Sequence, residues 1–172
     1  EGVSTGEGRG ETLGQWESPI YDRVYSDISL AVSELERWRS ELEDGMTPEV
    51  TDLKGCLNAA DLNRIEGNID YLQTELNLTR PGALLHLISK VDWSVTDIPS
   101  REDVLRILVN LRSMRWKVHP TVLDQVPELP DTVEDYADLN KIEKTLDVYL
   151  DGVIPVETWE EAKNYSWGNL KT

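Results

Sequence analysis

The side chains able to do covalent or acid–base chemistry in this chain are few and scattered. One cysteine, Cys56, and two histidines, His86 and His119, are present. A thiolate paired with a histidine base is conceivable from residue types alone, but no motif orients either partner. Cys56 stands just ahead of a helix start and reads as a small, partly buried residue. A lone cysteine also excludes an internal disulfide and a cysteine-based zinc site. His86 lies in an apolar run with no second ligand at metal-binding spacing, and His119, ahead of Pro120, reads as a turn residue. Acids are the opposite case: with 33 of them, any pair chosen as general acid and base is arbitrary without a pocket or cluster to single it out. Residues 1–18 hold five glycines, yet no strand precedes them and no Gly-Lys-Ser/Thr follows, so they do not read as a phosphate loop. No catalytic, cofactor-binding or metal-ligating residue is therefore expected, and no cofactor.

What the chain does contain is a repetition. Ala60 to Leu72, ADLNRIEGNIDYL, returns 77 residues later at Ala137 to Tyr149 as ADLNKIEKTLDVY, with seven of thirteen positions identical. That offset exceeds a solenoid period and points to a supersecondary unit used twice. Each copy has a start signal: Asn58 as cap with Asp61 in the first turn, and Asp135 with Asp138. Behind the caps, Leu62, Ile65, Ile69, Leu72 and Leu76 fall on one helical stripe, as do Leu139, Ile142, Leu146 and Tyr149. Asn63 and Glu66, repeated as Asn140 and Glu143, sit at i and i+3, and asparagine is a poor choice inside a helix. Two explanations stay open: these side chains hydrogen-bond the incoming connection and fix the hairpin, or they form a solvated face left by recent duplication. Arg64 and Lys141 are expected to pair with nearby carboxylates for at most a few tenths of a kcal/mol.

An earlier helix is repeated more faintly. Ile28, Val32 and Leu35 match Val104, Leu108 and Leu111 at an offset of 76, as Asp27 matches Asp103. Ser100 is a good cap with Asp103 at N3, whereas its counterpart Val24 cannot cap, so the first helix is expected from Asp22 to Glu43, stopping at Gly45. The second hairpin is expected from Ser100 to Lys117 and from Asp135 to Asp151, joined by a segment whose three prolines predict order without helix. The expected class is all-α, two duplicated antiparallel helical hairpins packed together. The divisions are a flexible glycine-rich arm (1–18), a first hairpin (19–77), a linker (78–99), a second hairpin (100–151) and a Trp-rich tail (152–172). Within the linker, Leu84, Leu85, Leu87 and Ile88 fit a short helix or a strand equally. In the tail, Trp159, Tyr165, Trp167 and Leu170 stand in a charged context and are the candidate protein-interaction residues. Asn77-Leu78-Thr79 and Asn164-Tyr165-Ser166 match glycosylation sequons, relevant only in a protein secreted from a eukaryote.

Totals narrow the partners. The 172 residues suit one domain or two small ones, and no apolar run approaches the roughly 20 residues of a membrane-spanning helix. Each hairpin of about 55 residues would be marginal alone, so the two should pack on one another. A net charge of −16 makes bare nucleic acid and anionic lipid poor partners. The sequence starts without Met and without a signal-peptide pattern, so either processing or a fragment boundary is expected at its start, and its last residues bring no termination signal, which leaves open whether more chain follows Thr172.

LKGCLNAADLNRIEGNIDYL resembles a sequence in poorly characterised structural proteins of tailed phages and prophages of Gram-positive bacteria, where a Lys-Gly turn leads to an Asn-capped Asp-Leu-Asn-Arg helix. KVDWSVTDIPSREDVLRILVNLRSMR resembles the next block of the same proteins, and TWEEAKNYSWGNLKT is similar to Trp-rich segments of tail proteins. Together these cover most of residues 19–172. The resemblance implies a place and no reaction: a non-enzymatic adaptor of a phage tail, at the baseplate or fibre attachment region. Its partners would be other tail, baseplate or fibre proteins, with self-association left open, and it would be made in the bacterial cytoplasm and carried in the virion. Two other classes compete: a free host-interaction or regulatory protein binding through the Trp tail, and a tail-associated cell-wall hydrolase.

Overall fold

The computed structural model describes residues 15–82 and 84–153. Among them every regular element is helical: α1 (Tyr25–Glu43), α2 (Ala59–Thr79), α3 (Arg101–Met114), a 3₁₀ helix (Pro120–Gln125) and α4 (Tyr136–Asp151). The class is therefore all-α. Residues 1–14, and with them most of the glycine-rich arm, lie outside the described residues, as do Trp159, Tyr165, Trp167 and Leu170.

The starts of α3 and α4 are as expected, and those of α2 and α1 differ in detail. Asp135 caps α4 by accepting from the Ala137 and Asp138 N–H groups, and Ser100 Oγ accepts from Asp103 N. Asn58 occupies the cap position of α2, where its amide grips Leu53 and donates to Asp61 Oδ2, and the same Asp61 oxygen covers the Asn58 N–H. α1 begins at Tyr25, not Asp22: Val24 stands at the cap without a capping side chain, and Asp27 Oδ2 reaches back 2.9 Å to its N–H. One carboxylate at N3 thus supplies half of a capping box without help from the cap residue. The proline-rich connection, expected without helix, holds the 3₁₀ turn because Pro120 sets φ at its first position and His119 Nδ1 accepts from Thr121 N.

The core is shared by α2, α3, α4 and the 3₁₀ segment. Leu62, Ile65, Ile69, Leu72 and Leu76 meet Ile107, Leu108, Leu111 and Met114 and the α4 stripe of Leu139, Ile142, Leu146 and Tyr149, with Trp93, Val118 and Val122 closing its edges. α1 contributes nothing to this core. Its Ala31 and Trp38 are buried, but Val32, Leu35 and Leu42 are about half exposed. Gly45 ends α1 at φ 77°, and Gly55 brings the returning connection against the backbone of Asp27 and Ile28, where a Cβ would sit 2.2 Å from the Asp27 carbonyl oxygen.

Two stretches without helix or strand complete the body, a first strap (15–24) and a second strap (84–94). The stretch left open between helix and strand, 84–88, is an extended chain with Leu85 and Leu87 half-buried and Leu84, His86 and Ile88 exposed. The first strap includes residues 15–18, placed by composition in the arm. Trp16 packs against Tyr71 with ring centroids 5.7 Å apart.

Leu111 is wholly buried and its repeat counterpart Leu35 is 47% exposed. Leu111→Ala should cost about 2–5 kcal/mol in urea unfolding, and Leu35→Ala about 0.5 kcal/mol. Tyr149, whose hydroxyl donates to Leu111 O, is pushed by burial up from 10.0 to about 12. The fold favours the neutral phenol, so this stabilisation is complete below pH 10 and is lost as pH rises through about 12. An absorbance titration should find a tyrosine ionising there together with loss of helicity.

Candidate functional site

An extended segment laid against a helix has no ladder partner for its N–H and C=O groups, and burying them unpaired is costly. Asparagine carries one acceptor and a donor pair in the geometry of a peptide unit. Among the described residues five asparagines use both groups in this way and a sixth uses its donor. Asn63 accepts from Trp93 N at 2.8 Å and donates to Trp93 O at 2.9 Å. Asn140 grips Arg23 in the same way, at 3.2 and 2.9 Å. Asn68 holds Glu17, Asn77 holds Leu85 and Asn58 holds Leu53, each through both groups. Asn110, the sixth asparagine among the described residues, donates to Ile88 O. Asn77 also accepts from Lys117 Nζ, so a glycan on that sequon would remove the clamp on Leu85.

The repeated glutamates work beside the repeated asparagines. Glu66 and Glu143 are fully buried, and each accepts four hydrogen bonds, two per oxygen. Glu143 Oε2 takes the Ile20 N–H at 2.6 Å and Arg64 Nε at 3.0 Å, and its Oε1 takes Arg23 at 2.9 Å and the Arg64 terminal nitrogen at 2.7 Å. Glu66 Oε2 takes the Lys90 N–H at 2.8 Å and Arg106 Nε at 3.2 Å, and its Oε1 takes Trp93 Nε1 at 2.9 Å and the other Arg106 nitrogen at 2.7 Å. The two sites match atom for atom. One backbone N–H, one side-chain N–H three residues later and one bidentate arginine fill each carboxylate.

The segments held are not the connections within each hairpin. Asn63 and Glu66 on α2 hold the strap that leaves α2, and Asn140 and Glu143 on α4 hold the first strap, from the far end of the chain. The straps themselves are related: Ile20-Tyr-Asp-Arg23 lies on Lys90-Val-Asp-Trp93, 70 residues apart. The match continues to Asp27 and Asp97, whose carboxylates accept from Val24 N and Ser94 N, both at 2.9 Å. This relation went unseen in the sequence because its offset differs from the 76 and 77 of the helices. Asp22 over Asp92 and Asp27 over Asp97 are the signal that exposes it.

Arg64 corrects the expectation of a weak surface pair. It is 8% exposed and bonded to Glu143 and Asp61, while Arg23, 2% exposed, reaches the same two carboxylates. Burial alone would lower the Arg64 pKa, but its bonds to Glu143 and Asp61 override this and hold it above the ordinary arginine value. The two cations and two anions balance, which is what permits a buried cluster. Lys141 behaves as expected, pairing with Asp138 at 2.9 Å on the surface.

Residues considered for chemistry are placed otherwise. Cys56 lines a mostly apolar cavity of about 630 Å³ with Arg23, Tyr25, Ile28, Tyr136 and Leu139. Burial, then Asp61, pushes its thiol pKa up, away from a reactive thiolate. His119 is buried against Thr121, with burial lowering its pKa, and His86 is exposed. Among the described residues no group of three or more His, Cys, Asp or Glu is placed to hold a metal ion, and no helix is long and apolar enough to cross a membrane. Compared with known protein families, curated proteins and solved structures, the chain finds no match in any of the three.

Truncating Glu143 leaves two buried guanidinium groups sharing Asp61 alone, and truncating Glu66 leaves Arg106 with Asp103 alone and removes the acceptor of the Trp93 indole. Glu143→Ala should cost about 3–5 kcal/mol and Glu66→Ala somewhat less, since Arg106 is partly solvated, whereas Lys144→Ala should cost less than about 1 kcal/mol. Urea unfolding of the three variants orders them.

Proposed function

We infer that this chain is a non-enzymatic structural adaptor of a phage tail, working at the baseplate or fibre attachment region. The observation that carries the reading is the use made of the repeated polar residues. Asn63, Glu66, Asn140 and Glu143, the most conspicuous residues in the sequence, spend their hydrogen-bonding capacity on the chain's own straps and arginines. Such residues position a scaffold: the four acceptor positions of each carboxylate are filled from within the chain, and both asparagine amides are committed to the straps. The resemblance of LKGCLNAADLNRIEGNIDYL and its neighbouring block to phage structural proteins supplies the setting.

The finer architecture belongs to the same reading. One unit of strap, helix, connection and helix is used twice, the second copy inserting about six residues between the Asp97 turn and α3. Trp159, Tyr165, Trp167 and Leu170 form an attachment that grips a neighbouring tail, baseplate or fibre protein, as Trp and Tyr anchors do at interfaces. The acidic surface keeps nucleic acid and anionic membrane away.

Immunogold electron microscopy of particles from the producing strain, with antibody against residues 19–151, should label the tail tip. Free protein in the lysate beside unlabelled particles would instead favour a regulator, and clearing of cell walls by the pure chain a hydrolase. Removing Thr158 to Thr172 should leave helicity unchanged and abolish incorporation into particles.

A further inference from the structure

The geometry points to exchange of the first strap between two copies of this chain, each copy's α4 being filled by the other's residues 15–24. The two receptors differ in how their occupants are tethered. α2 is filled by the strap that follows it directly, with Asn77 already holding Leu85 eight residues on. α4 is filled from more than a hundred residues away, Ile20 on Glu143 and Arg23 on Asn140. Between that strap and the body stands only α1, which gives no residue to the core, and then residues 46–52, an exposed stretch except for half-buried Pro48.

What α4 reads in the strap is indifferent to which copy supplies it. On α4 the contacts are an amide pair on one residue, one N–H three residues earlier and one guanidinium, on α2 they are Asn68 with Glu17, Tyr71 with Trp16 and Asp61 with Arg23, and an exchanged pair remakes every one of them. At these contacts the closed single chain and the pair are alike, and the hinge and the concentration set the balance between them. A tethered strap acts at an effective concentration of the order of mM, so exchange competes when copies are concentrated to that range. The seam between copies also receives the α1 face of Val32, Leu35 and Leu42; Leu108 and Leu111, which match the first two in α3, are buried. The net charge of −16 opposes the approach of two copies, so salt should raise the exchanged fraction. The inference concerns self-association and does not depend on the tail-adaptor reading.

Tyr21 and Asp147 test it, because they meet at the surface across strap and α4 with Tyr21 Oη 3.0 Å from Asp147 Oδ2. In a Cys56→Ser background, a Tyr21→Cys copy is mixed at high concentration with a mass-tagged Asp147→Cys copy, diluted and treated with a short bismaleimide. A cross-linked hetero-pair well above that from a Glu36→Cys and Asp147→Cys control mixture is expected, rising with salt and lost when Asn140→Ala is added to the Asp147→Cys copy. A yield equal to the control, or one unmoved by Asn140→Ala, overturns exchange. Should Asn140→Ala abolish helicity, deletion of Thr47 to Val50 decides instead. A shortened hinge should convert the helical full chain to twice its mass in light scattering, and a helical monomer contradicts the proposal.

Discussion

Buried extended backbone needs partners, and in a protein whose described regular structure is all helix, no strand is there to supply them. That single constraint organises the molecule. Asparagine side chains on α2, α3 and α4, helped by Gln73, Glu66 and Glu143, replace the missing ladder for two straps. The second strap runs antiparallel to α2, Leu85 on Asn77, Leu87 on Gln73, Lys90 on Glu66 and Trp93 on Asn63. Asn63, Glu66, Gln73 and Asn77 share the face of α2 turned to the strap, while its leucines and isoleucines turn to the core.

The carboxylates take part at a cost that only their saturation offsets. A buried glutamate is unfavourable unless it is paired and fully hydrogen-bonded, and here an arginine with an aspartate three residues before it serves both sites, Asp61 with Arg64 and Asp103 with Arg106. The difference lies at the fourth donor, Arg23 in one site and Trp93 in the other. With two arginines, the Glu143 site recruits Asp61 into the interior, whereas the Glu66 site leaves Asp103 partly solvated, where the Ser100 and Arg106 hydrogen bonds hold its pKa down to about 2. Order is therefore unevenly distributed. α2, α3 and α4 interlock, and α1 is attached through the strap before it and the connection after it.

Much of this was legible beforehand. α2, α3 and α4 follow from their apolar stripes and the first-turn acids Asp61, Asp103 and Asp138. Asn63 and Glu66 announced themselves by recurring where mid-helix asparagine is disfavoured. Asn68 and Asn77 do the same work without a signal in the repeat, because Thr145 stands opposite Asn68 and Ile154 opposite Asn77. α1 shows the limit of periodicity. Its Ile28, Val32 and Leu35 are spaced like Val104, Leu108 and Leu111, but whether a stripe is covered depends on what folds over it. The straps were least legible, since residues 84–88 alternate too briefly to part helix from strand and owe their shape to side chains elsewhere.

The straps should be held as firmly as the helices that hold them, and amide hydrogen exchange followed by NMR tests this directly. The N–H groups of Ile20, Lys90 and Trp93, which lie outside any helix, should exchange only at rates near those of core amides such as Leu108, because opening them unpairs a buried glutamate or asparagine. Exchange at the rate of the exposed Ile98 would contradict the account, reducing the clamps to surface contacts and leaving the repeated Asn and Glu without a structural purpose.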